Sequence, residues 1–210
     1  MNIVTIDFDI IMRPSIELYN DYIGDTVSIA DVINDYPLLG MANADLNIYE
    51  YLTRYLVKVL KKLDKKKIYF VHSHEMVVPL ISKYKDIDLV NIDHHHDLGY
   101  GEKITAYGTA SCGNWAKKLL DLRLLSSYTW VSNPESSMLP EEFQDREYIQ
   151  DILLEDYSLD ELADKTDMLI ICESFDWIPP QFRPLYFAWV GIYEEFTDSQ
   201  YPMIDNDKKI

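Results

Sequence analysis

The segment Leu89-Val-Asn-Ile-Asp-His-His-His-Asp97 sets two acids and three histidines directly behind an apolar run, and Gly99 follows two residues later. In an extended chain alternate side chains share a face, so Asp93, His95 and Asp97 are expected on one side, with His94 and His96 turned away. Imidazole nitrogen combined with carboxylate oxygen suits a divalent metal such as Mn, Fe or Zn. All five histidines, His72, His74, His94, His95 and His96, fall within 25 residues, a clustering that scattered surface histidines would not show. A plain solvated polar loop at a strand end is the competing reading.

A second acid pair, Asp7 and Asp9, lies in Asn2-Ile-Val-Thr-Ile-Asp-Phe-Asp-Ile-Ile-Met12, which reads as a buried strand. Period-two spacing puts both carboxylates on one face. Two charges on a buried strand need a partner that offsets their desolvation. A metal supplies one, as would a helix N-terminus or solvent at the strand end.

The elements that must carry these groups alternate. Helical periodicity runs from about Asn43 to Leu63, with Asn43 or Asp45 as cap and a basic run from Lys61 to Lys67 at its end. Ile68–Val71 is a strand ending at His72-Ser-His74-Glu75, and helical spacing resumes through Val77 to Ile81. The strand before Asp93 is followed by a glycine-bearing loop and a helix from Ser111 to Leu120. Tyr128–Val131 and Met168–Cys172 are further strands, and the latter runs into Glu173-Ser-Phe-Asp176 and a last helix beyond Pro180. The segment from Arg13 to Gly40, and that from Asn133 to Asp156, read as loops. Short apolar strands alternating with helices predict a single α/β domain over residues 1–210 with a mainly parallel sheet. In such sheets sites form beyond the carboxyl ends of the strands. Asp7 and Asp9, His72 and His74, and Asp93 to Asp97 all fall at predicted strand ends of that kind.

Composition narrows the function classes. A hydrophobic content of 48% marks a chain able to build a core. The net charge of −17 leaves no basic stripe for a nucleic-acid backbone or an anionic membrane, so a small-molecule substrate is the expected partner. Cys112 and Cys172 are far apart and outside any CxxC, which supports neither a disulfide framework nor a cysteine-ligated zinc. With no signal core and no bilayer-length apolar run, a soluble, cytoplasmic protein is expected. Oligomeric state cannot be read from these features.

Asp93-x-His95-x-Asp97 with His74 upstream resembles the ureohydrolase superfamily of arginases, agmatinases and related deacetylases. The pattern is most similar to an uncharacterised arginase-like family, through His74-Glu-Met-Val-Val-Pro79, Asp93 to Leu98, Asn114-Trp115, and Trp130 near Pro134. That likeness covers roughly residues 68 to 135. It implies a three-layer α/β sandwich and a metal-dependent hydrolase acting on a C–N bond of a guanidino, amide or acetylamine compound. Two Mn ions would activate a bridging hydroxide, with Fe or Zn as alternatives. The departure lies in the last ligand pair. Ser174-Phe175-Asp176 is present, but Ile178 stands where arginases carry a second acid. Asp7-Phe-Asp9 has the missing pattern at the opposite end of the chain, as a rearranged strand order would allow. Asp7, Asp9, His74, Asp93, His95 and Asp97 are then the metal ligands. Alternatively Asp176 joins Asp93 and His95 in a mononuclear, deacetylase-like site.

Leaving-group protonation requires a general acid, for which His72, His96 and Glu173 are candidates. Glu75 or Asn114 could orient a ligating histidine, while Trp115 and Trp130 are expected in the core. Two other classes stay open. Asp93-His94-His95 is also the signature of DHH phosphoesterases, which would need both His94 and His95. A non-catalytic metal-binding protein on the same fold is the third reading.

Overall fold

The computed structural model describes residues 1–13, 43–99, 110–134, 136, 138–174, 178 and 180–197. At its centre is β1 (Asn2–Asp7), flanked in parallel by β8 (Met168–Cys172) and β5 (Ile87–Ile92). Outside these lie β4 (Ile68–Val71) on one side, and β6 (Leu125–Ser132) and then β7 (Ile149–Leu153) on the other. The six strands, in the order β4-β8-β1-β5-β6-β7, are all parallel. A two-stranded antiparallel pair, β2 (Met12–Arg13) with β3 (Asn43–Ala44), stands apart from this sheet. The α/β class and the parallel sheet therefore agree with the sequence reading. The missed element is β7, preceded by the short helix α4 (Glu141–Gln144), in the segment read as loop. Its exposed Gln150 and Asp151 give an edge strand little apolar signal.

Each face of the sheet has its own apolar core. Val4, Ile6, Ile92, Leu169 and Ile171 pack with α1 (Leu46–Leu60), α5 (Leu159–Lys165) and α6 (Arg183–Thr197). Ile3, Leu89, Trp130, Ile170 and Cys172 pack with α2 (Val77–Ile81) and α3 (Trp115–Asp121). Helix α1 starts where Asp45 accepts the Asn47 and Ile48 amides at 2.9 and 3.2 Å. It buries the stripe Leu52, Tyr55, Leu56, Val59 and Leu60. Each such apolar side chain, fully withdrawn from water, contributes roughly 1.5–3 kcal/mol. No helix among the described residues is long and apolar enough to cross a membrane.

One packing feature bears directly on the acids. β1 does not continue to Met12 as expected. It stops at Asp7, and Phe8–Ile11 form a 3₁₀ turn capped by the Asp7 carboxylate, which accepts the Asp9 amide at 3.3 Å. Phe8 anchors that turn by inserting edge-on against Trp189, with centroids 4.9 Å apart, and against Tyr186 at 5.3 Å. Asp7 and Asp9 are therefore positioned by a capped turn and not by strand alternation.

Candidate metal centre

The carboxyl ends of four neighbouring strands, β4, β8, β1 and β5, converge on one buried cluster. Register sets Asp7 beside Cys172 and Ile6 beside Ile92, so the residue that ends β1 faces the loop that begins at Asp93. His74 arrives from the turn after β4. Its Nδ1 lies 3.3 Å from Asp7 Oδ2, 3.2 Å from Asp93 Oδ2 and 3.1 Å from Asp97 Oδ2. His95 Nδ1 lies 3.4 Å from Asp9 Oδ2 and 3.4 Å from Asp93 Oδ1. The six expected ligands are thus gathered in one place. Asp176, the seventh, lies outside the described residues.

The loop after β5 achieves this without alternation, since the strand ends at Ile92. Asp93 turns back to accept the His95 amide at 2.8 Å. Asp97 takes a left-handed backbone, φ 52°, and Gly99 follows at φ 100°. A non-glycine residue in that region costs on the order of 1 kcal/mol per residue, and the surroundings hold it there. Trp115 Nε1 donates to Asp97 Oδ2, and Trp130 Nε1 donates to the Asp93 carbonyl at 2.8 Å. Tyr128 donates its hydroxyl to the His96 carbonyl at 2.6 Å. Asn91, locked by Thr5 at 2.6 Å, donates to Asp93 Oδ2 at 3.2 Å. These orienting roles fall to Asn91, Thr5, Tyr128 and both tryptophans. Glu75 is exposed, and Asn114 accepts the Ser111 amide. The signal for Thr5 and Asn91 was available, as polar residues inside otherwise apolar strands.

His94 and His96 are turned away from the acids, as alternation suggested, yet neither is solvated. His94 is buried, with Nε2 donating to the Met12 carbonyl at 2.8 Å. His96 is buried with its ring edge-on to Trp130, and its Nδ1 accepts the Leu98 amide at 3.0 Å. Burial lowers the pKa of both, His96 to about 4, so both rings are neutral at pH 7. His72 and Glu173 form an ion pair at the rim, between the ends of β4 and β8.

The electrostatics of the cluster are unbalanced. Among the described residues it sets four buried carboxylates against two imidazoles, an excess of acids that burial relieves by favouring the protonated form of some of them. Burial and the Asp9 charge push Asp7 well above the usual carboxylate range, and burial together with Asp93 pushes Asp97 up to about 7. Asp93 goes the other way: burial opposes its ionisation, but hydrogen bonds from His74 and His95 hold it far below that range. Burial likewise opposes charge on the two rings, and the surrounding acids overcome it, raising both. Two buried polar atoms, Asp9 Oδ1 and His74 Nε2, have no hydrogen-bond partner.

A divalent cation fits this donor set. Ligand bonds of about 2.0–2.2 Å place neighbouring donors on one ion about 3–3.5 Å apart, and the separations here run from 3.1 to 3.4 Å. Among the described residues three overlapping groups could hold an ion: Asp7, His74 and Cys172; His74, Asp93 and Asp97; and Asp9, Asp93 and His95. Cys172 is the member that sequence reasoning set aside. Its position at the end of a strand, in the same place as the other ligands, was the available signal. Comparison with protein-family models, with curated proteins and with solved structures finds no match for this chain. The site therefore has to be read from its own residues.

Proposed function

We propose that the protein is a metal-dependent hydrolase of the arginase and deacetylase type, acting on a C–N bond of a small guanidino, amide or acetylamine substrate. The helices on both faces of the parallel sheet are consistent with a three-layer sandwich of that type, and β8 lying between β4 and β1 with a rearranged strand order. The observation that carries the reading is the division of one carboxylate. Asp93 points Oδ2 at His74 and Oδ1 at His95, and each ring meets further acids of its own. A carboxylate shared in this way suits a pair of ions held side by side, Mn being the first expectation and Fe or Zn the alternatives.

Asp7, His74, Asp93 and Asp97 would hold one ion, and Asp9, Asp93 and His95 the other. Bound there, divalent metal supplies Lewis acidity and lowers the pKa of water from about 15.7 toward about 7. The protein's own residues do the rest. Asn91 and Trp115 fix the Asp93 and Asp97 carboxylates, and Trp130 holds the Asp93 backbone carbonyl. Glu173 takes the Nδ1 side of His72, leaving Nε2 of this partly exposed ring to deliver a proton to the leaving nitrogen. His96 is less suited to that task, because it is buried against Trp130 with Nδ1 occupied by the Leu98 amide. The phosphoesterase reading is weakened by His94, whose Nε2 is engaged by the Met12 carbonyl.

Elemental mass spectrometry on untagged protein, dialysed against metal-free buffer, tests the proposal. Close to two Mn, Fe or Zn per chain supports it and directs the substrate screen to guanidino and amide compounds. About one supports the mononuclear arrangement with Asp176. None after reconstitution at micromolar metal ends the reading.

A further inference from the structure

The acids and histidines account for the cluster except on one side, where β8 contributes Cys172. This residue is fully buried and sits in register with Asp7 on β1 and with Val71 on β4. Its sulfur, an Asp7 oxygen and a His74 nitrogen all lie within 4.8 Å of one another. Ligands of a four-coordinate ion with bonds of about 2.0–2.3 Å sit about 3.3–3.8 Å apart, so the three atoms would need to draw together by at most about 1.5 Å to hold one. A second observation concerns the same histidine. His74 is 2% exposed, and its Nε2 is buried without a hydrogen-bond partner while three carboxylates crowd the other nitrogen. The sulfur is also in contact with Ser174 Oγ at 3.4 Å, a thiol being only a weak hydrogen-bonding group.

We propose that Cys172 is a metal ligand at the His74 end of the centre, so that the two ends differ in chemistry. The His74 end, with thiolate, imidazole and carboxylate, selects a softer ion such as Zn or Fe(II). The His95 end, with carboxylates and imidazole, accepts Mn. On coordination the S–H bond is replaced by a sulfur–metal bond and the proton leaves to solvent. The inference rests on the metal reading above.

Cobalt(II) added to the full chain tests it, because a coordinated thiolate gives Co(II) an intense near-ultraviolet charge-transfer band that oxygen and nitrogen ligands do not. The experiment uses Cys112→Ser, which leaves Cys172 as the sole thiol of the chain. The expected result is a band that saturates with one equivalent of Co(II) and vanishes in the Cys112→Ser, Cys172→Ser double variant, while Co(II) still binds at the His95 end. Zn affinity should fall at least about tenfold in the double variant, with Mn affinity nearly unchanged. Should the double variant fail to fold, the band in Cys112→Ser decides alone. Bound Co(II) without the band overturns the role of Cys172 and leaves the metal centre standing. No bound Co(II) overturns both.

Discussion

His74 is 2% exposed, with three carboxylates within 3.3 Å of its Nδ1, whereas His95 is 17% exposed and meets Asp9 and Asp93 at 3.4 Å. The two rings share Asp93 and little else. The groups around His74 come from the ends of β1, β4, β5 and β8 and are almost wholly buried, while the His95 ring reaches solvent. Each end carries one buried polar atom without a hydrogen-bond partner, His74 Nε2 at the first and Asp9 Oδ1 at the second. The pairing of a closed and an open end separates catalytic from purely structural metal sites.

The largest effect should come from the residue the two ends share. Asp93→Asn keeps the shape but removes the negative charge and one of the two donor oxygens, and should remove both ions and reduce hydrolysis by at least about a thousandfold, as read by elemental analysis and turnover. Loss of only one ion would show that Asp93 does not link the two ends. Next, His74→Ala leaves Asp7, Asp93 and Asp97 buried together without their counter-group. In chelated protein it should cost about 3–5 kcal/mol in urea unfolding, and His95→Ala clearly less, because that end is open to water. Equal losses would erase the distinction between the ends. His72→Gln lies outside both ends. It should retain full metal content, read by elemental analysis, while the rate falls about 10²–10⁴-fold.

The smallest effect concerns pH. In chelated protein Asp97 has its folded pKa raised from 3.8 to about 7, so its contribution to stability is full below about pH 4 and lost as pH rises to 7. His96 has its folded pKa lowered from 6.5 to about 4, so its contribution is present above 6.5 and lost as pH falls to 4. The two slopes oppose each other. Asp97→Asn should therefore unmask the histidine, giving a stability that rises by up to about 3 kcal/mol between pH 4 and 6.5. Metal affinity of the unaltered protein should fall about tenfold per unit below pH 7, as ions compete with the Asp97 proton.

Much of this was legible because strand ends and ligands coincide in an open parallel sheet. The apolar runs Ile68–Val71 and Met168–Cys172 mark β4 and β8 to the residue, since burial on both faces leaves no polar interruption. Asp45 caps α1 as a short polar side chain before an apolar stripe should. The ligand set was readable from residue type and location, but the means of bringing it together was not. Alternation was expected to align Asp7 with Asp9 and Asp93 with Asp97, yet Asp7 is the last residue of its strand and the other three lie past the strand ends. Turn geometry does the aligning: a 3₁₀ turn pinned by Phe8 on Trp189, and a left-handed residue at Asp97. Such turns depend on contacts with residues far away in sequence, Trp189 in one case and Trp115 in the other. Cys172 was passed over because isolated cysteines carry no spacing signal, and β7 because an edge strand with exposed polar residues lacks an apolar one.

The order of the central strands gives the cluster a mechanical meaning as well. β4, β8, β1 and β5 are adjacent in space but separated by long stretches of sequence, with β8 inserted last between two strands laid down much earlier. If ions are held at that shared rim, as proposed, they would act as rivets across four strands that come from separate parts of the chain. Without them the rim has only its own acids and imidazoles to tie those strands together, and the seam at β8 is where the loss should first be felt.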